Sequence, residues 1–173
     1  EDTVVSLADL EACADLRAPL PGDGARCGLD VARYGSDHDW CVVLIDGRVV
    51  YEKTWSGLDT MRTVGELSRV VNDYDIPWDR VSIDVSGVGG GCVDRCIELN
   101  RAVGAVNFGG GVQHDWDDSE FGPALGIDGT LYLNRKAELF WTLRSLLKKR
   151  MLSIPSKFER IWEDLLAVKY ESK

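Results

Sequence analysis

Cys27-Gly28-Leu29-Asp30-Val31 and Val81-Ser82-Ile83-Asp84-Val85 are two apolar, strand-like runs, each with a single carboxylate set inside it. An ionised carboxylate in a strand is costly unless something compensates it. Each run leads into a flexible stretch, Tyr34-Gly35-Ser36-Asp37 after the first and Ser86-Gly87-Val88-Gly89-Gly90-Gly91 after the second. Both acids therefore fall near the C-terminal ends of their strands, where open α/β sheets place ligand sites. If the strands are neighbours, roughly 5 Å apart, the carboxylates converge and repel, and a divalent cation between them relieves the repulsion. The plain alternative is that each aspartate is a satisfied hydrogen-bond acceptor at a strand end. Two such residues, each with a glycine-rich exit, favour the metal.

Outward from these runs, the elements read in the order β-β-β-α-β-α-β. Strands are expected at 26–33, 40–45 and 48–55, the last two joined by Asp46-Gly47, a two-residue hairpin signal. Met61, Val64, Leu67, Val70 and Val71 recur with helical spacing across 59–73. The Asp84 strand, a helix over 90–100 and a strand over 102–108 follow. An antiparallel meander that feeds parallel crossovers is not the strict alternation of a dinucleotide-binding domain. Before the meander, 6–17 reads as a short helix capped by Ser6, and Pro19-Leu20-Pro21-Gly22-Asp23-Gly24 reads as a linker. After it, 109–130 is a long Gly/Asp-rich connection, the kind that is usually functional or mobile. Asn134 caps a helix to about 150 with Leu139, Phe140, Leu143, Leu146 and Leu147 inward, and a last helix is expected over 156–169.

At 173 residues and 45% apolar composition the chain suits one α/β domain. The net charge of −9 argues against a general polyanion-binding surface. The charge is uneven, because residues 135–173 hold ten Lys/Arg against five Asp/Glu. Such a run can grip phosphates or simply be a solvated helix face. The five cysteines, odd in number and partly in strands, suit reduced thiols in a cytosolic compartment. Cys92 and Cys96 share a helix face but have no second Cys/His pair, so zinc is not expected. No apolar run reaches the ~20 residues of a membrane span, and the N-terminal residues show no signal peptide.

There is no G-x-x-x-x-G-K-[ST] stretch, so P-loop hydrolysis is not encoded in this chain. The glycines at 87, 89, 90 and 91 lack the third position of a dinucleotide loop, which is Cys92. They suit close approach of a backbone or a phosphodiester to the carboxylates instead. His38 and His114 have no nucleophile elbow and read as structural or surface residues.

Two acids at the ends of adjacent strands, in this element order, describe the ribonuclease-H-like arrangement. Four segments then occur in a telling order: Gly28-Leu29-Asp30-Val31-Ala32-Arg33-Tyr34-Gly35-Ser36-Asp37, Asp84-Val85-Ser86-Gly87-Val88-Gly89-Gly90-Gly91-Cys92-Val93-Asp94, Val106-Asn107-Phe108-Gly109, and Asn134-Arg135-Lys136-Ala137-Glu138-Leu139-Phe140-Trp141. Together, over about residues 1–170, they resemble the C-terminal nuclease domain of tailed-phage terminase large subunits, the DNA-packaging motors.

The resemblance implies a mixed ribonuclease-H-like sheet flanked by helices, and an endonuclease that cuts concatemeric viral double-stranded DNA at a two-metal Mg²⁺ or Mn²⁺ site. Asp30 and Asp84 match its metal-binding catalytic acids, and Asp37 matches a further acidic position in the loop after the first strand. Arg135, Lys136, Lys148, Lys149 and Arg150 are the candidate DNA-binding cations. The family carries a third acid on a helix beyond Val168-Lys169-Tyr170. The expectation is that this acid lies past Lys173, with Asp164 as the substitute within the chain. The resemblance also implies an upstream ATPase domain. Residues 1–24 would then be a helix and linker from it, and 25–173 the nuclease domain. It further implies a portal protein and a small terminase subunit as partners, and the host cell cytoplasm as location. The rival readings are a non-catalytic or resolvase-like module of the same fold, and a nucleotide-binding protein of the sugar-kinase and actin type. The latter needs a duplicated domain for which 173 residues leave no room.

Overall fold

The computed structural model describes residues 3–32, 37–112 and 132–170. The expected long connection at 109–130 falls largely outside them, as do Tyr34, Gly35 and Ser36 in the stretch after the first carboxylate strand. The chain divides into two compact units, one of residues 23–108 and one of residues 1–22 with 109–173.

Unit 23–108 is built on a five-stranded sheet. Its strands are β1 (Ala25–Asp30), β2 (Asp39–Ile45), β3 (Arg48–Trp55), β4 (Val81–Asp84) and β5 (Gly104–Val106), in the spatial order β3-β2-β1-β4-β5. The meander β1-β2-β3 is antiparallel, whereas β4 pairs parallel with both β1 and β5. Asp46 and Gly47 both take positive φ, 49° and 76°, between β2 and β3. A two-residue turn of that kind matches the right-handed twist of the strands it joins.

Helices α2 (Thr60–Asp73) and α3 (Gly89–Glu98) supply the crossovers. Asp59 caps α2, its side chain accepting a hydrogen bond from the Arg62 amide at 2.8 Å. The stripe Val64, Leu67, Val70, Val71 packs with Cys92, Val93 and Cys96 of α3 against Cys27, Leu29, Cys41, Val43, Val81 and Ile83. These strand residues alternate with their neighbours, as a period of two requires. In β1 the inward residues are Cys27 and Leu29, and in β4 they are Val81 and Ile83, which turns Asp30 and Asp84 to the opposite face of the sheet. Cys27 and Cys41 touch across β1 and β2 with sulfurs 3.3 Å apart. All five cysteines are free and buried.

The second unit holds α1 (Leu7–Cys13), α4 (Arg135–Lys148) and α5 (Glu159–Ala167). Ser6 and Asp9 form the reciprocal hydrogen bonds of a capping box at α1. Residues 1–22, read from sequence as helix and linker, cluster here with residues 109–173. The Cys13 thiol donates to the Leu147 carbonyl at 3.1 Å, and Thr3 bridges to Lys169. Asn134 caps α4 as expected, accepting from the Ala137 amide at 2.9 Å.

The inward face expected for α4 is corrected in one respect. Of the five apolar residues assigned to it, only Leu147 is buried, and the other buried positions are Glu138 and Thr142. Glu138 is fully buried because Arg135, one turn earlier, pairs with it at 2.6 Å.

Candidate metal centre

The C-terminal edge of the sheet brings the two carboxylate strands together. The parallel ladder runs Cys27↔Val81, Gly28↔Ser82, Leu29↔Ile83. One further step places Asp30 beside Asp84, on the same face, at the usual strand spacing of roughly 5 Å. Among the described residues neither aspartate is in an ion pair. The electrostatics follow. Partial desolvation holds the Asp30 carboxyl above the ordinary carboxylate range, and the negative charges of Asp84 and then Asp39 push it further.

Asp84 is held by its own turn. Its Oδ1 accepts from the Ser86 amide at 2.8 Å, an Asx turn that closes the strand exit. The Ser86 hydroxyl in turn accepts from the Phe108 amide at 2.8 Å, and the Val85 amide donates to the Val106 carbonyl at 2.8 Å. The exits of β4 and β5 are thereby tied together. The glycine run that follows starts α3, and at Gly89 the close approach expected from sequence is to backbone. A Cβ there would overlap the carbonyl oxygen of Asp84.

Asp37 is exposed and lines a cleft of about 250 Å³ with Val31, Ala32, Asp39, Thr60 and Thr63 among others. The cleft lining includes neither Asp30 nor Asp84. Among the described residues no group of three or more His, Cys, Asp or Glu side chains is placed to hold a metal. Asp37 is therefore not gathered into one cluster with Asp30 and Asp84. Asp164, considered as a substitute third acid, is an exposed residue of α5.

Two adjacent carboxylates, one of them raised by burial and by like charge and neither in an ion pair among the described residues, have the donor chemistry for a hard divalent cation. They amount to two ligands, short of the full set such an ion takes.

The residue missed from sequence is Asp39. It opens β2 and is only 5% exposed. Its Oδ1 accepts from the Ala32 amide at 2.8 Å, and its Oδ2 accepts from the Thr63 hydroxyl at 3.0 Å. Its charge reaches Asp30 on one side and the Cys92 thiol on the other, which burial chiefly and Asp39 secondarily push up to about 11. The signal was present in the alternation, because Asp39 is in phase with the buried Cys41 and Val43.

Among the cations proposed for DNA, Arg135, Lys148 and Arg150 meet groups inside the second unit. Arg135 is held by Glu138, Lys148 lies 3.5 Å from Asp9, and Arg150 donates to the Ala12 carbonyl at 2.9 Å. Lys136 and Lys149 are exposed. The Arg135–Glu138 pair is the most deeply buried of these, with side-chain exposures of 16% and 0%. Removing one partner of a buried ion pair is strongly destabilising, so Glu138→Ala is expected to cost about 3–5 kcal/mol. A urea unfolding midpoint measures it, and a loss below about 1 kcal/mol, the scale of a surface pair, would show that solvent compensates the arginine.

No protein-family model and no curated protein matches this sequence. Solved structures do match its fold. The nuclease domain of the large terminase subunit of bacterial virus Sf6 superposes with a TM-score of 0.78 at 14% identity, over 99% of this chain and 84% of that one. A mutant form of the same domain with manganese gives 0.76 at 14% identity, over 99% and 84%. The large terminase nuclease of thermophilic phage G20c with bound magnesium gives 0.66 at 17% identity, over 99% and 83%. This chain therefore has the ribonuclease-H-like fold of the terminase nuclease domains: a mixed five-stranded sheet flanked by helices.

Proposed function

We propose that this chain is the nuclease part of a DNA-packaging terminase, a divalent-metal-dependent endodeoxyribonuclease that cuts concatemeric viral DNA. The observation that carries the reading is the parallel register Leu29↔Ile83, which continued by one residue sets Asp30 beside Asp84 on one face of the sheet edge, with burial and then like charge raising Asp30. The fold shared with the Sf6 and G20c nuclease domains supports it, as do the manganese and magnesium in those structures.

Asp30 and Asp84 would hold the ion, which is Mg²⁺ or Mn²⁺. When bound, such an ion supplies positive charge to the attacking and leaving oxygens of an in-line displacement at phosphorus. The net reaction adds water across one phosphodiester and leaves a phosphomonoester end and a hydroxyl end. The protein's own part is positional. The Asx turn at Asp84 and the short contact of α3 with its backbone fix one carboxylate, and the β1 ladder fixes the other. A second ion and a third acid complete the proposed two-metal site.

The substrate is double-stranded DNA, and cutting is independent of sequence, because phosphate contacts position a duplex without reading it. Arg135, Lys136, Lys148, Lys149 and Arg150 are the proposed phosphate contacts within 135–150, and all but Arg135 are exposed. An upstream ATPase domain, a portal protein and a small terminase subunit are the proposed partners, in the host cell cytoplasm. Residues 25–173 form the proposed nuclease domain, with 1–24 as the helix and linker from the proposed upstream ATPase domain. Among the described residues no helix is long and apolar enough to cross a membrane.

A second reading, a DNA-binding module of this fold that does not cut, is favoured by the lack of a third ligand among the described residues. A plasmid assay separates the two. Supercoiled DNA incubated with the protein and Mn²⁺ is expected to be nicked and then linearised, and EDTA is expected to stop this. Gel retardation of the same DNA with no Mn²⁺-dependent nicking would instead establish the binding module.

A further inference from the structure

Asp39 sits where a carboxylate is not expected, on the α2 face of the sheet in phase with Cys41 and Val43. A buried carboxylate needs donors, and the two it has come from different elements. One is the amide of Ala32, two residues beyond Asp30, and the other is the hydroxyl of Thr63 on α2, itself 1% exposed. The ladder between β1 and β2 ends at Asp30↔Trp40, so the sheet offers the Ala32 amide no partner. Asp39 provides one, and anchors that point to a packed helix.

We infer that Asp39 is a positioning residue for the metal-binding pair: it clamps the chain leaving β1 onto α2, and so keeps the last strand residue, Asp30, aligned with Asp84. The inference rests on the nuclease reading of that pair. Asp30 is the terminal residue of β1, and strand ends open locally at little cost unless something beyond them is tied down. Cys27 and Leu29 anchor the strand on one side of Asp30 through the core. On the other side Val31 packs partly against the same core, and Asp39 ties down the Ala32 amide beyond it. The cleft it lines with Val31, Ala32, Thr60 and Thr63 is the gap that this clamp spans.

The substitutions Asp39→Ala, Asp39→Asn and Thr63→Val test this in the full chain, each compared by circular dichroism for matched folding. Asparagine can still accept from the Ala32 amide and can donate to the Thr63 hydroxyl, so it keeps the clamp and removes the charge. Two measurements are needed: hydrogen exchange of the Ala32 amide without metal, and Mn²⁺ affinity by calorimetry. Asp39→Ala is expected to speed Ala32 exchange and weaken Mn²⁺ binding, each by roughly tenfold, about the worth of one buried hydrogen bond. Asp39→Asn is expected to stay within about threefold of wild type in both, with Thr63→Val between the two. Native exchange or native Mn²⁺ affinity in Asp39→Ala would overturn this inference alone. Equal losses in Asp39→Asn and Asp39→Ala would also overturn it, because charge and not position would then be responsible. Wild-type protein that shows no Asp30-dependent Mn²⁺ binding would overturn the nuclease reading, and this inference with it.

Discussion

Plasmid nicking in Mn²⁺ is expected to fall about a thousandfold in Asp30→Ala and in Asp84→Ala, since several kcal/mol of charge stabilisation are lost at about 1.4 kcal/mol per tenfold. The two variants should be equally inactive, because each removes one of only two adjacent carboxylates. A ligand pair acts as a unit, so the double variant should be no worse than either single one. Asp37→Ala is the informative contrast. Asp37 is exposed on the cleft and lies outside any group of three ligands among the described residues. Its loss is expected to lower the rate by about tenfold or less, the modest end of what outer ligands contribute. A thousandfold loss in Asp37→Ala would move it into the metal centre.

Gly89→Ala is the second large effect, and it acts on structure first. Gly89 is buried at the start of α3, and an added Cβ would overlap the carbonyl oxygen of Asp84, with Ile83 Cγ2 at 3.5 Å on the other side. Backbone cannot swing aside as the far end of a long side chain can. Either α3 lifts from β4 or the Asp84 peptide turns, and the second disturbs the Asx turn that holds the carboxylate. Overpacking of this kind costs about 1–3 kcal/mol or more, which for a chain of this size lowers Tm by roughly 2–4 °C for each kcal/mol. Mn²⁺ affinity should fall as well. Gly90→Ala is the control, because a Cβ there meets nothing within 4 Å. That substitution in a helix should stabilise by about 0.5–1 kcal/mol. Similar Tm values for the two variants would refute the close contact between α3 and β4.

The sheet was legible because its signals are local. Apolar runs marked the strands of Asp30 and Asp84, the Asp46-Gly47 turn set the hairpin, and the spacing of Val64, Leu67, Val70 and Val71 set α2. The positions of Asp30 and Asp84 at strand ends followed from the same pattern. Asp39 was lost among Ser36, Asp37 and His38, a polar run that reads as loop. Its role depends on Thr63, 24 residues further along. The α4 face was misjudged for a related reason. Four half-buried apolar residues, Leu139, Phe140, Leu143 and Leu146, outweighed one glutamate in the pattern, while Glu138 is buried by its pairing with Arg135. The partners of Lys148 and Arg150 lie on or beside α1, more than 130 residues away, and no short-range spacing announces them.

Calorimetric titration with Mn²⁺ of the wild type, Asp30→Asn and Asp84→Asn tests the central claim most directly. The Asp30 carboxyl is raised in the folded state, so its ionisation opposes folding. That penalty is absent when the group is protonated in both states and grows as pH rises through the carboxylate range. Asp30→Asn removes the repulsion and should be at least as heat-stable as metal-free wild type at neutral pH. Lost binding in this variant at an undiminished Tm is then not due to unfolding. The expected result is saturable binding in the wild type at millimolar Mn²⁺ or below, abolished in both variants. Undiminished binding in both folded variants would contradict a metal shared by Asp30 and Asp84.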